Sequence, residues 1–273
     1  MAEDEREKWA GTGTMYEFQL QANPLESRQI LNDKRKFYES YRPFFRHRVV
    51  SLEKLAMNPS EIKQLVQDND RLVFKEAEGQ CGHGVVIKDC SEIDPGTLIE
   101  WMKKNKLDLA ETYIKQHPEL NALSPSAVNT VRIYTLITRE GSYRTLGSRL
   151  RISVNSPVDN LAAGNLAAPI DEKSGVVNGP GVYSDITRAP ERLHPVTGVS
   201  IEGFEIPYWR ETLDMVRRAS LQHPENRSIG WDVVITPEGP GLIEGNHDWC
   251  KLVWQLPVRQ GLKHLIVENG RYA

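Results

Sequence analysis

Apolar and polar positions divide the chain into short elements. Between residues 24 and 42, Leu25, Ile30, Leu31, Phe37 and Tyr38 recur near helical spacing behind Pro24, and the spacing predicts one helix. Residues 1–13 ahead of it read as a flexible tail. Arg46 to Val50 suggests a short strand, and Ser51 to Met57 and Pro59 to Asn69 suggest helices capped by Ser51 and Ser60. Leu72-Val73-Phe74-Lys75 and Val85-Val86-Ile87-Lys88 are strand patterns around Gly79-Gln80-Cys81-Gly82-His83-Gly84, a hairpin with a glycine-rich tip. A helix over Gly96 to Lys104 and a strand over Leu107 to Ile114 follow. Val131 to Thr138 and Ser142 to Val154 form a strand pair joined at Glu140-Gly141.

Residues 155–205 are rich in Gly, Pro, Asn and Asp and predict long ordered loops, which often carry function. Ile206 to His223 reads as a helix. Trp231 to Thr236 and Gly241 to Glu244 read as strands around the turn Pro237-Glu238-Gly239-Pro240. From Lys251 onward a helix is expected to the end.

Composition narrows the class. The 273 residues suffice for one large domain or two modest lobes. A formal net charge of -3 gives no basis for general nucleic-acid binding. No apolar run is long enough to span a membrane, and the acidic Met1 to Trp9 is unlike a secretory signal. Cys81, Cys90 and Cys250 are odd in number and widely spaced, which predicts three ordinary reduced thiols and a cytoplasmic setting.

Several clusters can carry chemistry. Asp232 lies on one apolar strand, and Glu244 and Asn246 lie two apart at the end of the next. A tight turn would bring the three oxygen donors to one face, where a hard cation such as magnesium could be held. Lys75 ends a buried strand beside the glycine loop, whose backbone N–H groups could approach phosphate. Glu111 to His117 is an extended segment able to offer backbone groups to an adenine edge. Arg132 interrupts an apolar strand and needs an anion, while Arg149 and Arg151 share one face of the next strand. Val158-Asp159-Asn160, Gly164-Asn165 and His194-Pro195-Val196-Thr197-Gly198 could line a substrate pocket, although His194 reads more readily as structural than as catalytic.

Taken in order, these pieces resemble the ATP-grasp superfamily, and within it the sugar-transfer-associated branch. The matching stretches are Leu31-Asn32-Asp33-Lys34 with Phe37, Val73-Phe74-Lys75 with the glycine loop, and Glu111 to His117 with Pro118-Glu119-Leu120. Then follow Asn129-Thr130-Val131-Arg132, Val158-Asp159-Asn160, His194 to Gly198, Ile229-Gly230-Trp231-Asp232 and Leu242-Ile243-Glu244-Gly245-Asn246.

The resemblance implies an α+β fold in which two α+β lobes clasp ATP. Residues 1–30 would be a short extension, 31–115 the first lobe with the glycine flap, and 116–273 the second lobe with the metal site and substrate loop. Relatives often carry a larger N-terminal domain, so its role would pass to the 155–205 loop or to a partner subunit. Carried over position by position, Lys34 and Lys75 would contact the nucleotide, and Gly79, Gly82 and Gly84 would form the flap over the phosphates. Cys81 and His83 depart from the small residues usual in that flap. Glu111, Tyr113 and Ile114 would be the adenine hinge, and Gln116 or His117 would lie near the ribose. Asp232, Glu244 and Asn246 would hold two magnesium ions, with manganese as an alternative.

The implied reaction is ATP-dependent carboxylate–amine ligation through an acyl phosphate, on a small metabolite, amino acid or sugar acid. Arg132 would neutralise the transferring phosphoryl, and Arg149 or Arg151 would hold the acceptor carboxylate. The expected partners are small carboxylates and amines, with no nucleic acid and no membrane, and a homodimer or partner subunit is allowed for. Two other readings stand beside it: a phosphotransferase of the same fold, and a nucleotide-binding module without turnover.

Overall fold

The computed structural model describes residues 3–79, 84–268 and 271–272. Nine strands form its two main sheets: β1 (Val49–Ser51), β2 (Arg71–Lys75), β3 (Val86–Asp89), β4 (Leu109–Thr112), β5 (Thr130–Ile137), β6 (Tyr143–Ile152), β7 (Leu166–Ile170), β8 (Ser228–Thr236) and β9 (Gly239–Asn246). The smaller sheet has the order β1-β4-β2-β3 and the larger β7-β6-β5-β8-β9. All pairings within them are antiparallel. The expected α+β class is what the chain adopts.

Alternation gives each face of the larger sheet its own job. One face presents Val131, Ile133, Leu150, Ile152, Trp231 and Val233 to the main core, which the helix Trp209–Gln222 covers with Met215, Val216 and Ala219. The other face carries Arg132, Arg149, Arg151, Asp232 and Glu244. Register puts them side by side: Arg132 pairs with Arg149 and with Asp232, and Asp232 pairs with Glu244. The smaller sheet packs Leu72, Phe74 and Ala110 against Leu55, Ile62, Leu65, Leu98 and Met102 from its helices.

The structure corrects several expected elements. The span 24–42 is two helices, Gln29–Asn32 and Lys34–Tyr41. They break at Asp33, whose extended backbone (φ -104°, ψ 113°) makes it an N-cap and whose side chain accepts from Arg35 N at 2.8 Å. From Lys34–Tyr41, Phe37 and Tyr41 pack on Trp231 of the larger sheet at ring separations of 6.4 and 5.3 Å. The described part of the N-terminus is no loose tail. Ala10 is buried and exchanges two hydrogen bonds with the Gln255 amide (2.9 and 3.2 Å). A helix the pattern did not show, Thr12–Ala22, buries Met15, Phe18 and Ala22 among Trp249 and Trp254.

Ser60 is not a cap: Pro59 opens its helix behind Asn58. The 155–205 loop contains β7 and several isolated bridges, so it carries more regular structure than its composition suggested. The C-terminal helix stops at Gln255, and the chain ends in a 3-10 turn, Lys263–Leu265, and a two-stranded ribbon, Val267–Glu268 with Arg271–Tyr272. Among the described residues no helix is long and apolar enough to cross a membrane.

Candidate functional site

Two adjoining cavities open between the sheets. The first, about 330 Å³, runs from Thr112, Tyr113 and Ile114 past Lys75 and Arg71 to Asp159, Asp232 and Glu244. The second, about 280 Å³, lies beyond it between Phe37 and Asn32 on one side and Asn246, His247, Trp249 and Cys250 on the other. Lys34, Gly79, Arg151, Asn160 and Glu244 line both, so the two spaces meet at charged side chains.

The meeting point is an ion network built by strand register. Asp232 accepts from Arg132 Nε, from Arg132 Nη2 (2.8 Å) and from Arg151 Nη1 (2.9 Å). Arg151 Nη2 reaches Asp159 at 2.9 Å, and Asp159 also accepts from the backbone N–H of Thr130 (2.9 Å) and from its hydroxyl. Burial alone would raise the Asp232 carboxyl. The Arg132 guanidinium, with that of Arg151, outweighs burial and holds it well below the usual range. Glu244 behaves in the opposite way: burial and the adjacent Asp232 charge push its carboxyl up. Asp159 is also raised by burial, against the pull of Arg151. Asp232 is thus supplied with positive charge, and Glu244 is short of it.

The donors expected to form a metal site therefore differ in availability. Glu244 and Asn246 stand together, with Asn246 Nδ2 3.3 Å from Glu244 Oε1 and from Gly230 O. Asp232, expected beside them as a free ligand, already neutralises two arginines. Among the described residues no group of three or more His, Cys, Asp or Glu side chains is arranged to hold a metal ion.

Most of the expected nucleotide residues converge on the first cavity. Lys34 Nζ donates to the carbonyl of Gly79, and burial with nearby Lys75 lowers the ammonium against the pull of Glu244. Lys75 Nζ sits 2.6 Å from Glu111 Oε2. Burial would raise Glu111, but Lys75 and His47 bring it down to about 2. Glu111 is thus the ion-pair partner of Lys75, and it lines the first cavity beside Thr112, Tyr113 and Ile114. Gly84 takes φ +72°, and an added Cβ would meet the Glu76 carboxylate. Gly82, with Cys81 and His83, lies outside the described residues.

Two expected contacts fall elsewhere. Gln116 is used up by local partners: its Nε2 donates to Ser124 O (3.0 Å) and Ala127 O (3.1 Å), and its Oε1 accepts twice from Asn129. His117 caps the helix Pro118–Leu123, accepting from Glu119 N at 3.4 Å, and its ring packs edge-on to Tyr208. Neither lines the cavities.

Arg149 shares the face of Arg151 but turns away from both cavities. Its Nε donates to Trp254 O at 2.9 Å and its Nη1 to Ser148 O at 2.7 Å, with burial lowering the guanidinium. It braces the C-terminal helix. His194 is structural: Nδ1 accepts from Thr197 N (3.1 Å) and Nε2 meets Ser153 O (2.8 Å). Cys90 and Cys250 are free thiols, with no disulfide between them.

Sequence reasoning missed His47, which faces Glu111, and Arg71, whose guanidinium lies 4.0 Å from the centre of the Tyr113 ring. It flagged Asp159 without seeing that it holds Arg151. Strand register was the signal that could have placed His47 on the face that Glu111 occupies, whereas Asp159 lies in a loop where no register applies.

Antiparallel sheets flanking a cleft lined by lysines, paired arginines and an acid-x-Asn strand end define a protein of the ATP-grasp fold. The family model for sugar-transfer associated ATP-grasp matches residues 14–269, and the chain belongs to that family. No curated protein matches it. Among solved structures, it is similar to a biotin carboxylase–βγ-ATP complex from Campylobacter jejuni, at TM-score 0.53 and 10% identity over 89% of this chain and 44% of that one. It is also similar to an L-amino acid ligase from Bacillus licheniformis, at 0.48 and 15% over 87% and 47%. D-alanyl-alanine synthetase A from Vibrio cholerae gives 0.47 and 12% over 82% and 57%. The chain thus spans about half the length of these structures, and at such identities the likeness is one of fold.

Proposed function

We propose that the chain is an ATP-dependent carboxylate–amine ligase that works through an acyl phosphate. The observation that carries this reading is the pair of cavities joined at Lys34, Gly79, Arg151, Asn160 and Glu244. A donor and an acceptor lying in the two cavities would meet at one charged junction, which is the arrangement a transfer reaction requires.

ATP would lie in the first cavity, with its base against Tyr113 and Ile114 and its phosphates toward Lys34, Lys75 and Gly79. A carboxylate in the second cavity would attack the γ-phosphorus through one oxygen. The bond from γ-phosphorus to the bridging oxygen breaks, and ADP leaves. An amine then attacks the acyl carbon, phosphate departs with the electron pair, and the amine's proton passes to solvent. The protein's part is positioning and charge. Arg132 would face the transferring phosphoryl group. Arg151, rather than Arg149, would hold the acceptor, since Arg151 lines both cavities and Arg149 lines neither.

Magnesium fits the donors that remain. Glu244 is a half-buried carboxyl short of positive charge, and Asn246 spends its N–H groups on Gly230 O and Glu244, which leaves its oxygen for a cation. One carboxylate and one amide oxygen, completed by phosphate oxygens and water, suit this ion. Asp232 would join only when an arginine is drawn to the phosphoryl group. When bound, magnesium would neutralise phosphate charge.

Product analysis tests the reading. The protein is incubated with ATP, magnesium and pooled carboxylates and amines. ADP, free phosphate and an amide mass support the ligase. A product that keeps the phosphate would replace it with the phosphotransferase, and ATP binding without turnover would replace it with the binding module.

A further inference from the structure

His47 precedes β1 and lies outside every residue assigned above to the nucleotide. Register carries it toward the site. Val49 pairs with Glu111, and Glu111 pairs with Val73. His47 and Lys75, each two residues from those partners, therefore fall on the face that Glu111 occupies. Glu111 Oε2 stands 2.6 Å from Lys75 Nζ and 3.6 Å from His47 Nε2, so one carboxylate oxygen serves both groups.

The His47 side chain is only 3% exposed, and its Nδ1 is buried without a hydrogen-bond partner among the described residues. A buried polar atom left unpaired costs stability. Packing does not explain why an imidazole is kept here: the ring lies 5.1 Å from Phe45, a contact that a phenyl ring would make as well. What the imidazole adds is Nε2, turned to Glu111. The other groups around His47 are Tyr38, Arg42, Arg46, Arg48 and Glu238, which ring a shallow surface cleft on its outer side. Its inner side faces the Glu111–Lys75 pair, and Lys75 lines the first cavity.

We propose that His47 is a positioning residue for the nucleotide: by holding the Glu111 carboxylate, it fixes where the Lys75 ammonium meets phosphate. This rests on the reading of the first cavity as an ATP site. Without the imidazole, the carboxylate can turn in its pocket and Lys75 follows it, away from the phosphate position. Loss of one buried charged contact that orders the carboxylate corresponds to about a tenfold change in affinity.

The test is calorimetric binding of the non-hydrolysable β,γ-imido analogue of ATP with magnesium. His47→Phe keeps the packing and removes Nε2, and is expected to bind about tenfold more weakly. His47→Gln puts an amide near the Nε2 position and is expected to restore binding to within about threefold. His47→Asn reaches only the Nδ1 position and should match the phenylalanine variant. In a Lys75→Met background, His47→Phe should cause no further loss, because it acts only through that lysine. Binding by His47→Phe at the unsubstituted level would overturn the proposal, as would glutamine failing to rescue where phenylalanine weakens. No binding by the unsubstituted protein would instead overturn the ATP-site reading, and this proposal with it.

Discussion

Replacing Asp232 with asparagine tests whether that carboxylate is a structural counterion or a free metal ligand. It is buried at 3% exposure and accepts from two guanidinium groups at 2.8 and 2.9 Å. The amide would keep the shape and remove the charge, leaving Arg132 and Arg151 with Asp159 and with Glu244, a carboxyl that burial disfavours as an anion. Breaking a buried ion pair from one side costs about 3–5 kcal/mol. That is a large share of a total stability of roughly 5–15 kcal/mol. At about 2–4 °C per kcal/mol for a domain of this size, the melting temperature should fall by roughly 6–20 °C. The assay is thermal unfolding followed by circular dichroism, at neutral pH in excess EDTA so that no bound metal contributes. If Asp232 were instead a free carboxylate facing Glu244, the substitution would relieve repulsion and raise the melting temperature. An unchanged or higher value in EDTA would refute the counterion assignment.

Glu244→Gln should do the reverse. It removes a carboxyl that burial and Asp232 push up, so metal-free stability should be unchanged or higher, while ATP turnover measured as ADP release is lost. Glu111 supplies a pH dependence of definite sign. Its folded value of about 2 lies below its ordinary 4.5, so its contribution is present above pH 4.5 and fades as pH falls toward 2. Urea unfolding across that window should show a loss on the order of 3 kcal/mol that Glu111→Gln lacks. His117→Ala should leave the KM for ATP within about twofold, since His117 caps a helix away from the cavities. A large rise would return His117 to the ribose.

How legible the molecule was depended on the range of the forces involved. Strand patterns such as Val131 to Thr138 showed because burial imposes a period on neighbouring residues. Thr12–Ala22 did not show, because Met15, Phe18 and Ala22 form a sparse apolar stripe whose partners, Trp249 and Trp254, lie more than two hundred residues away. Lys34, which opens the helix Lys34–Tyr41, entered only through the family resemblance, whereas Lys75 and Glu244 could be picked out because a charge on an apolar strand needs a partner. Which partner it takes is a matter of register: that is why Arg149 and Arg151, alike in sequence, end on Trp254 O and on Asp232. Gln116 and His117 misled for a related reason. A polar pair after a hinge strand suits a ribose, but Asn129 and Glu119 claim them locally.

Transfer of oxygen from acceptor to phosphate is the most direct test of the central claim. The protein, ATP and magnesium are incubated with carboxylates labelled with heavy oxygen and pooled amines, and the released phosphate is weighed by mass spectrometry. An acyl phosphate formed by carboxylate attack predicts one labelled oxygen in each phosphate released during amide formation. Unlabelled phosphate accompanying amide product would contradict it.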